Sequence, residues 1–599
     1  MKIFKHILLF LFLFFGMSIS AQEKDSIPHK EKTQVTIKSG YWEKKPEFPD
    51  AVIYTRDNTG QVYIVHEGVE MWCDQAYVYT KDNFVKAYGN VKIAQGDSIS
   101  MLSNYGEYNG NTQFAFASGN VVFNDPKTTL KTDTLYFDRI KQQAFYRSGG
   151  TVKDSASTLT SRVGRYFTTD KKYQFLSNVV IKNPEYTIHS EQLDFYSESG
   201  IAYMYGESTI VSETSTVYCE RGYYNTRTNI GHFVKNSRIE YENRILYGDS
   251  IYFDRNRNFA SATNNIRVID TLNQSFIRGH YAEVFRDKDS IFITKRAVAI
   301  TVRDNDSIYI HADTLRVTGK PENRILRGYY KARMFKKGLP GEQPTSGKCD
   351  SIYVNEKTGI TKLLQNPVLW SGGNQITGDT IHLLRNLKTD QIDTLKVFNN
   401  AFVVQKDSAG YNQVKGERLI GLFTNNTLDT INIIKNTQVI FFSRNEEQEL
   451  VGINNTLSSS IQMYIENQEI RGIRFNKQVT GKLYPPSQFP ENARILPGFN
   501  WRGEERLLTV QDLFKGKPSP VLPKIIGIPL PKDEGNFFED IPENELIIPE
   551  ASKLSPEHFK NKPEDMTPKT QTKGDAVPLI DKDTIKKNKE KEAALKKDN

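Results

Sequence analysis

"YGDSIYFD" at residues 247–254 invites two chemical readings. Gly-Asp-Ser opens some serine esterase motifs, and Asp249 and Asp254 are oxygen ligands of the kind a cation takes. The stretch reads differently beside its own relatives in the chain. "KTDTLYFD" (131–138), "HSEQLDFY" (189–196), "YCERGYYN" (218–225), "HADTLRVT" (311–318) and "KCDSIYVN" (348–355) share its layout: a small residue, a polar one, then strand formers. The small residue falls at Cys73, Ser103, Thr132, Ser161, Ser190, Cys219 and Gly248, one step of 30 followed by steps of 29. Later copies at Gly279, Ala312, Cys349, Gly378 and Gly416 are spaced more widely and unevenly, read as loops lengthening toward the C-terminal side. Self-similarity at a fixed period of this size is the mark of a repeat architecture.

Composition says what the repeat is made of. Thirty Tyr and 34 Phe, with many Thr, Val and Ile, favour strands. No long stretch of 3.6-residue periodicity precedes the C-terminal tail. Each unit continues through a polar turn into a second strand that starts near "GNV", as at 89–91 and 119–121, where Gly and Asn suit a positive φ or a bulge. The motif has a phase of its own. An apolar residue stands two positions before the small one (Leu130, Ile188, Leu246), and the next inward pair lies three and five residues after it (Leu135 and Phe137, Leu193 and Phe195, Ile251 and Phe253). A strand alternates by two, so a step of three predicts a bulge or corner, with Asp133, Glu191 or Asp249 at the bend.

A second rhythm doubles the period to 58: Gly106-x-Tyr108, Gly164-x-Tyr166 and Gly222-x-Tyr224 alternate with Leu135-x-Phe137, Leu193-x-Phe195 and Ile251-x-Phe253. This predicts an all-β, elongated, repeat-built sandwich of two facing sheets, with units assigned to the sheets in turn. Each Gly would receive a bulky partner from the opposite sheet.

The candidate chemistry weakens in the same frame. The slot of Ser250 holds Gln75, Thr134, Val163, Gln192 and Arg221 elsewhere, so a nucleophile is not kept. An esterase elbow also needs a strand–turn–helix setting with His and Asp partners. The anchor acid becomes Asn104, Arg162 or His280 in other units, which breaks a calcium pattern. Nine scattered His form no HExxH or paired spacing, and no phosphate-cradling glycine loop is present. Cys73, Cys219 and Cys349 fill the small slot, so packing is the preferred reading and no disulfide scaffold or zinc site is expected. The reading is therefore not an enzyme, with no catalytic residues, metal or cofactor.

The rest of the 599-residue chain frames this repeat. Residues 1–21 read as a signal peptide: Lys2 and Lys5, an apolar run from Ile7 to Phe15, then "SISA" for cleavage near Ala21. Residues 22–50 read as a polar linker, 51–480 as the repeats, 481–550 as a Pro-rich segment and 551–599 as a charged, disordered tail. A formal charge of +8, with basic and acidic residues interleaved, makes nucleic-acid binding a poor reading.

The corners "TDTLYFD" (132–138), "GDSIYFD" (248–254) and "ADTLRV" (312–317), with second strands "AYGNVKI" (87–93) and "ASGNVVF" (117–123), resemble the OstA/LptA-like periplasmic lipopolysaccharide-transport proteins. The same module forms the periplasmic part of LptD. The resemblance spans roughly 51–480 and implies a twisted, semi-open β-jellyroll in the periplasm whose apolar trough shields the acyl chains of lipid A. It implies partners at both membranes joined by edge-strand pairing, and head-to-tail self-association. The inward residues expected to line the trough are Tyr108, Leu135, Phe137, Tyr166, Leu193, Phe195, Tyr224, Ile251 and Phe253. The chain departs from the family in its length and in the Pro-rich and charged segment after 480, and the tail lacks the strand pattern of an outer-membrane barrel. Two other readings stay open: a structural or adhesive envelope protein with a closed core, and a carbohydrate-active site within the wider units at 312–450.

Overall fold

Each well-kept copy of the motif forms one long bent strand. Arg244–Asp254, which holds "YGDSIYFD", pairs antiparallel with Ile230–Tyr241 before it and Phe259–Asp270 after it. The register jumps once, in mid-strand. Gly248 faces Ser237 and Ser250 faces Val234, so Asp249 alone opposes Lys235 and Asn236. Two residues against one is a β-bulge, which bends the strand. The same slip occurs at Thr132/Thr134 and Ser190/Gln192, so the predicted corner is present where the step of three placed it.

The structure is a computed structural model that describes residues 34–528 apart from 273, 303–306, 339–342, 390, 425–426 and 467–468. The chain divides into two units, Met1–Leu530 and Pro531–Asn599, and the described residues all belong to the first. The expected signal peptide and the charged tail lie outside the described residues.

The bend makes two sheets from one ladder. Thr129–Asp138 shows how: its first half pairs with Gly150–Lys153 and its second half with Gln143–Tyr146. Residues before the bulge belong to a first sheet and residues after it to a second. Every long strand therefore contributes to both sheets, and units are not assigned to them in turn as the 58-residue rhythm suggested. From Ser290 to Arg385 the strands are short and serve one sheet each. Long strands then return at Ile392–Asp407, Gly410–Thr424, Thr427–Arg444 and Leu450–Glu466. Some of the late widening of the repeat is thus longer strand rather than longer loop. All forty strands among the described residues pair antiparallel in this twisted jellyroll.

The corner has a recurrent chemistry. The return strand carries two consecutive residues with positive φ at Gly89/Asn90, Ser177/Asn178, Lys235/Asn236, Asn264/Asn265 and Asn399/Asn400. A non-Gly residue there costs about 1–2 kcal/mol, least for Asn. The motif's acid offsets the cost. Asp249 Oδ2 accepts from Asn265 Nδ2 at 2.8 Å, Asp74 from Asn90 at 2.7 Å and Asp379 from Asn400 at 3.0 Å. The acids of the motif are corner clamps.

The alternation of Gly and Leu also has a different cause from the one expected. A Cβ on Gly164 would lie 2.5 Å from the Tyr146 ring, and one on Gly222 would lie 2.7 Å from Phe233. Tyr146 pairs with Gly164 and Phe233 with Gly222 across adjacent strands of the second sheet. The bulky partner comes from the neighbouring strand, not the facing sheet. One row of that sheet reads Phe195–Ala202–Tyr224–Gly231–Phe253–Ala260, ring next to small residue throughout.

Two boundaries differ from the sequence reading. Thr36–Lys38 pairs with Tyr63–Val65 and Tyr41–Glu43 with Ile53–Thr55, so residues assigned to a polar linker extend both sheets. At the other end, the Pro-rich chain after Tyr484 runs back along the outer face of the first sheet. Phe489 and Leu496 pack on Phe402, Ile440 and Phe442; Leu507 and Leu513 pack on Val298, Ile300 and Phe335. Buried Gln413 binds the Arg494 carbonyl and the Leu496 N–H at 2.8 and 2.9 Å. Gln375 does the same for Asn500 and Arg502, both at 2.7 Å. Arg333 then donates to the carbonyls of Asp512, Leu513 and Lys515, and Asn264 to that of Pro523.

Candidate binding site between the two sheets

Because every strand bends at the same place, the turns at its ends form two rows. One row closes the first sheet (residues 67–68, 125–128, 184–185, 213–214, 242–243) and the other the second (139–142, 168–171, 197–200, 226–229, 255–258, 286–289). The apolar interior meets the outside along the seam between these rows.

Polar side chains latch the seam. Arg139 reaches Glu67 Oε2 at 2.9 Å and the Glu67 carbonyl at 2.8 Å. Tyr166 donates to Asp125, and Tyr173 meets Thr128. Burial and the nearby Asp125 carboxylate push both phenols well above their ordinary value. Arg255 pairs with Glu185 Oε2 at 3.2 Å and donates to the Glu185 carbonyl at 3.0 Å. Arg244 donates to the Gly319 carbonyl at 3.0 Å, and Arg324 pairs with Asp270. Burial, with Arg244 close by, pulls Arg324 down to about 10.

The nine expected lining residues separate into two groups. Leu135, Tyr166, Leu193, Phe195, Tyr224 and Ile251 are buried in the continuous main core. Tyr146, Tyr173, Phe175 and Phe233 fill the interior beside them. Tyr166 and Tyr173 stack at 4.2 Å and Tyr186 meets Tyr224 edge-on at 5.1 Å. Tyr108, Phe137 and Phe253 are half-buried and border cavities. Tyr108 and Phe137 line a cavity of about 90 Å³ at the N-terminal mouth, whose other walls include Ile64, Met71, Ile93 and Phe123 and whose rim holds Arg139. Phe253 lines a larger one of about 380 Å³ between the Arg255 and Arg244 latches. A third, of about 50 Å³, lies beyond Arg244 beside Arg324. Between the first two of these chambers lies an aromatic plug, Tyr166 on Tyr173 and Tyr186 on Tyr224.

The repeat reading missed the latches, since it followed only inward positions. A trace of them is present: "FDR" recurs at 137–139 and 253–255, and both arginines reach back to a Glu about 70 residues earlier.

Ser250 does have a His partner, its Oγ lying 2.7 Å from His232 Nε2, but on the outer strand face away from all three chambers. Burial lowers the His232 imidazole below its usual value. No group of three or more His, Cys, Asp or Glu among the described residues has metal-binding geometry. Cys73, Cys219 and Cys349 are buried, and burial pushes each thiol up to about 12, as expected of packing residues.

Comparison with known proteins gives two related family matches. The family described as OstA-like protein matches residues 42–191 and 193–304. The one described as LptA/(LptD N-terminal domain) LPS transport protein matches 285–391. Among solved structures, LptH of Pseudomonas aeruginosa, described as the LptA homologous periplasmic component of the lipopolysaccharide transport device, is similar at 17% identity. That likeness covers 24% of this chain and 96% of that one with a TM-score of 0.19, and it adds no weight. No curated protein matches in sequence. On the two family matches, which run through the repeat from its first strands to residue 391, the chain belongs to the OstA/LptA-like lipopolysaccharide-transport family.

Proposed function

We propose that the protein carries lipopolysaccharide in the periplasm, holding the lipid A acyl chains between its two sheets. The supporting observation is the mouth chamber: its apolar walls come from both sheets, Arg139 at its rim latches to Glu67, and Tyr108 and Phe137 line it. Such a concave apolar site removes hydrocarbon from water at roughly 25 cal/mol per Å². The end strands suit a bridge. Thr36–Lys38 and Tyr41–Glu43 at one end, and Glu469–Asn476 and Thr480–Tyr484 at the other, each have one strand neighbour among the described residues. Open edges are templates for pairing with inner- and outer-membrane partners or with another copy.

Photocrosslinking in cells tests this reading. A benzophenone side chain at Tyr108, Phe137 or Phe253 should capture lipopolysaccharide, and one at the outward Tyr218 should not. Adducts at none of the three inward sites would reject it.

A second reading, a structural envelope protein, draws on the aromatic plug, since six of the nine lining candidates are already packed. It expects Phe137→Asp to unfold the protein with no lipid phenotype apart from lost stability. A carrier would instead keep its fold and lose crosslinking.

A further inference from the structure

The outer faces of the two sheets differ near the C-terminal end. The strap covers the first sheet there, with Phe489 and Leu496 over Phe402, Ile440 and Phe442. On the second sheet Ile420, Leu422, Ile434 and Tyr464 stand 36–43% exposed. They alternate along their strands with buried Leu419, Ile433 and Met463, so they point outward. They are also neighbours. Ile420 and Leu422 share a strand, Ile434 lies on the next one opposite Arg418, and Leu422 is in register with Thr430 and then Tyr464.

The same face is basic. Lys396, Ile420, Asn432, Gln462 and Arg474 form one cross-strand row. The row continues toward the N-terminal side through His382, Lys362, Tyr353, Arg327 and Arg316. Arg316 and Arg327 stand directly opposite each other, an arrangement that costs stability between like charges. Their nearest partners are the Ser290 and Thr318 hydroxyls at 3.3 and 3.1 Å and the Phe292 and Tyr353 rings, none of which neutralises them. Burial, with Lys362 and Lys396 on either side, holds the His382 imidazole below its usual value. Acids stand at the borders. Glu417 pairs with Lys435 at 3.1 Å and lies 3.9 Å from Arg418; Glu466 pairs with Arg471. Asp379 holds Asn400, Asp429 accepts from Thr424, and Asp393 sits in a bulge at the turn end of its strand. Further along, Asp313 pairs with Lys517, and Asp350, Glu322 and Glu356 lie at corners or turns, three residues or more from the row. Glu283, opposite Phe292, ends the row and accepts from Tyr281.

The geometry points to a membrane-binding face: this side of the second sheet lies on an anionic bilayer surface, with Ile420, Leu422 and Ile434 in the interface and Lys396, Arg418 and Arg474 on headgroup phosphates. An amphiphilic surface answers both halves of the face. A soluble polyanion would pair the cations and leave the aliphatic side chains in water. An apolar protein partner would cover those side chains and bury the cations unpaired, which is costly. Tyr464 suits the boundary, since its ring is apolar and its hydroxyl stays wet. The inference goes beyond the carrier reading and stands whether or not acyl chains enter the interior.

The test floats the purified full chain with vesicles of phosphatidylcholine, alone or with about 30 mol% phosphatidylglycerol to supply the negative surface potential. Binding should favour the anionic vesicles by about tenfold or more, each cation at the surface contributing roughly fivefold. High salt should weaken it. I420S/L422S/I434S and K396Q/R418Q/R474Q should each lower binding by about tenfold or more and leave the melting temperature in place, because the altered side chains point outward. An environment-sensitive dye on a cysteine at Leu422 should shift to the blue on anionic vesicles. The same dye at Leu508, exposed on the strap over the first sheet, should not. The native cysteines are buried and stay unlabelled. No vesicle binding, equal binding to both vesicle types, binding untouched by either triple substitution, or an equal dye shift at both sites would overturn the face. So would a vesicle-free dimer that the aliphatic substitution dissociates, which would assign the patch to a second copy of this chain.

Discussion

At the scale of single residues, the acid that resembles a catalytic or metal-binding group is a clamp on a strained corner. Asp249 holds Asn265, whose φ is +48°, and the same pair recurs as Asp74 with Asn90 and Asp379 with Asn400. The clamp and the strain can be separated by substitution. N265V forces a β-branched residue into the left-handed region and should cost about 1–2 kcal/mol or more in denaturant unfolding. N265G loses the hydrogen bond but relieves the backbone, and should stay within about 1 kcal/mol of the native chain. Equal losses would mean that the left-handed backbone is not what the corner demands. Each column of this pair is legible in the sequence, the acid in "GDS" and the Asn in "GNV". Their contact, between positions 16 apart, is not, because it depends on the bulge that brings return strand and motif together. Tyr146 over Gly164 is similar: the small–large rhythm can be read, but which strand supplies the ring depends on register.

Among the elements, the strap after Tyr484 is the part that sequence reading placed least well. Its prolines and its distance from the strands it covers, 259 residues from Asn264 to Pro523, hide it from any local pattern. Its footprint does show. "AFVV" (401–404) and "VIFF" (439–442) break the in–out alternation, and a strand apolar on both faces needs cover on both. The strap also carries a pH-sensitive clasp. His311 is 1% exposed, its Nδ1 lies 2.6 Å from the Ala297 carbonyl, and Lys517 Nζ lies 2.8 Å from its Nε2. Lys517 also pairs with Asp313 at 2.6 Å; Arg333 lies close enough to disfavour a charged ring, and Phe514 packs edge-on against it. This arrangement fits a neutral imidazole that donates to Ala297 and accepts from the ammonium. Burial is the main cause that lowers its pKa to about 4. A base with a depressed folded pKa contributes stability that is whole above its unfolded value of about 6.5 and is lost as pH falls toward 4. The loss should be on the order of 2–3 kcal/mol of strap docking. Limited proteolysis between 485 and 528 should therefore quicken from pH 7 to pH 4.5, and H311Q should flatten the profile. A native profile with no change over that range would contradict the clasp.

For the molecule as a whole, the all-β repeat and its two facing sheets could be read from the spacing of one eight-residue motif. How the sheets share strands could not, because a period reports recurrence and not the direction each half takes after a bulge. The nine lining candidates were chosen by phase, and phase places a side chain inward without saying whether its neighbours leave space. Phe195 beside Tyr173 is packed tight, while Phe253 beside Ala260 borders a chamber. The difference is one of neighbouring side-chain volume. The latches follow the same logic, since Arg139 and Glu67 meet only when the two rows of turns face each other.

Two sheets joined along their corners and latched along a seam should admit lipid by parting at the seam. Spin labels at Thr214 and Asn256, on opposite rows beside the large chamber, measure that parting by double electron–electron resonance. A control pair at Asp133 and Ser148 reports on the corner side. On addition of lipopolysaccharide, the seam pair should move apart while the corner pair holds its distance. A seam distance unchanged in protein shown to have bound lipopolysaccharide would contradict the account.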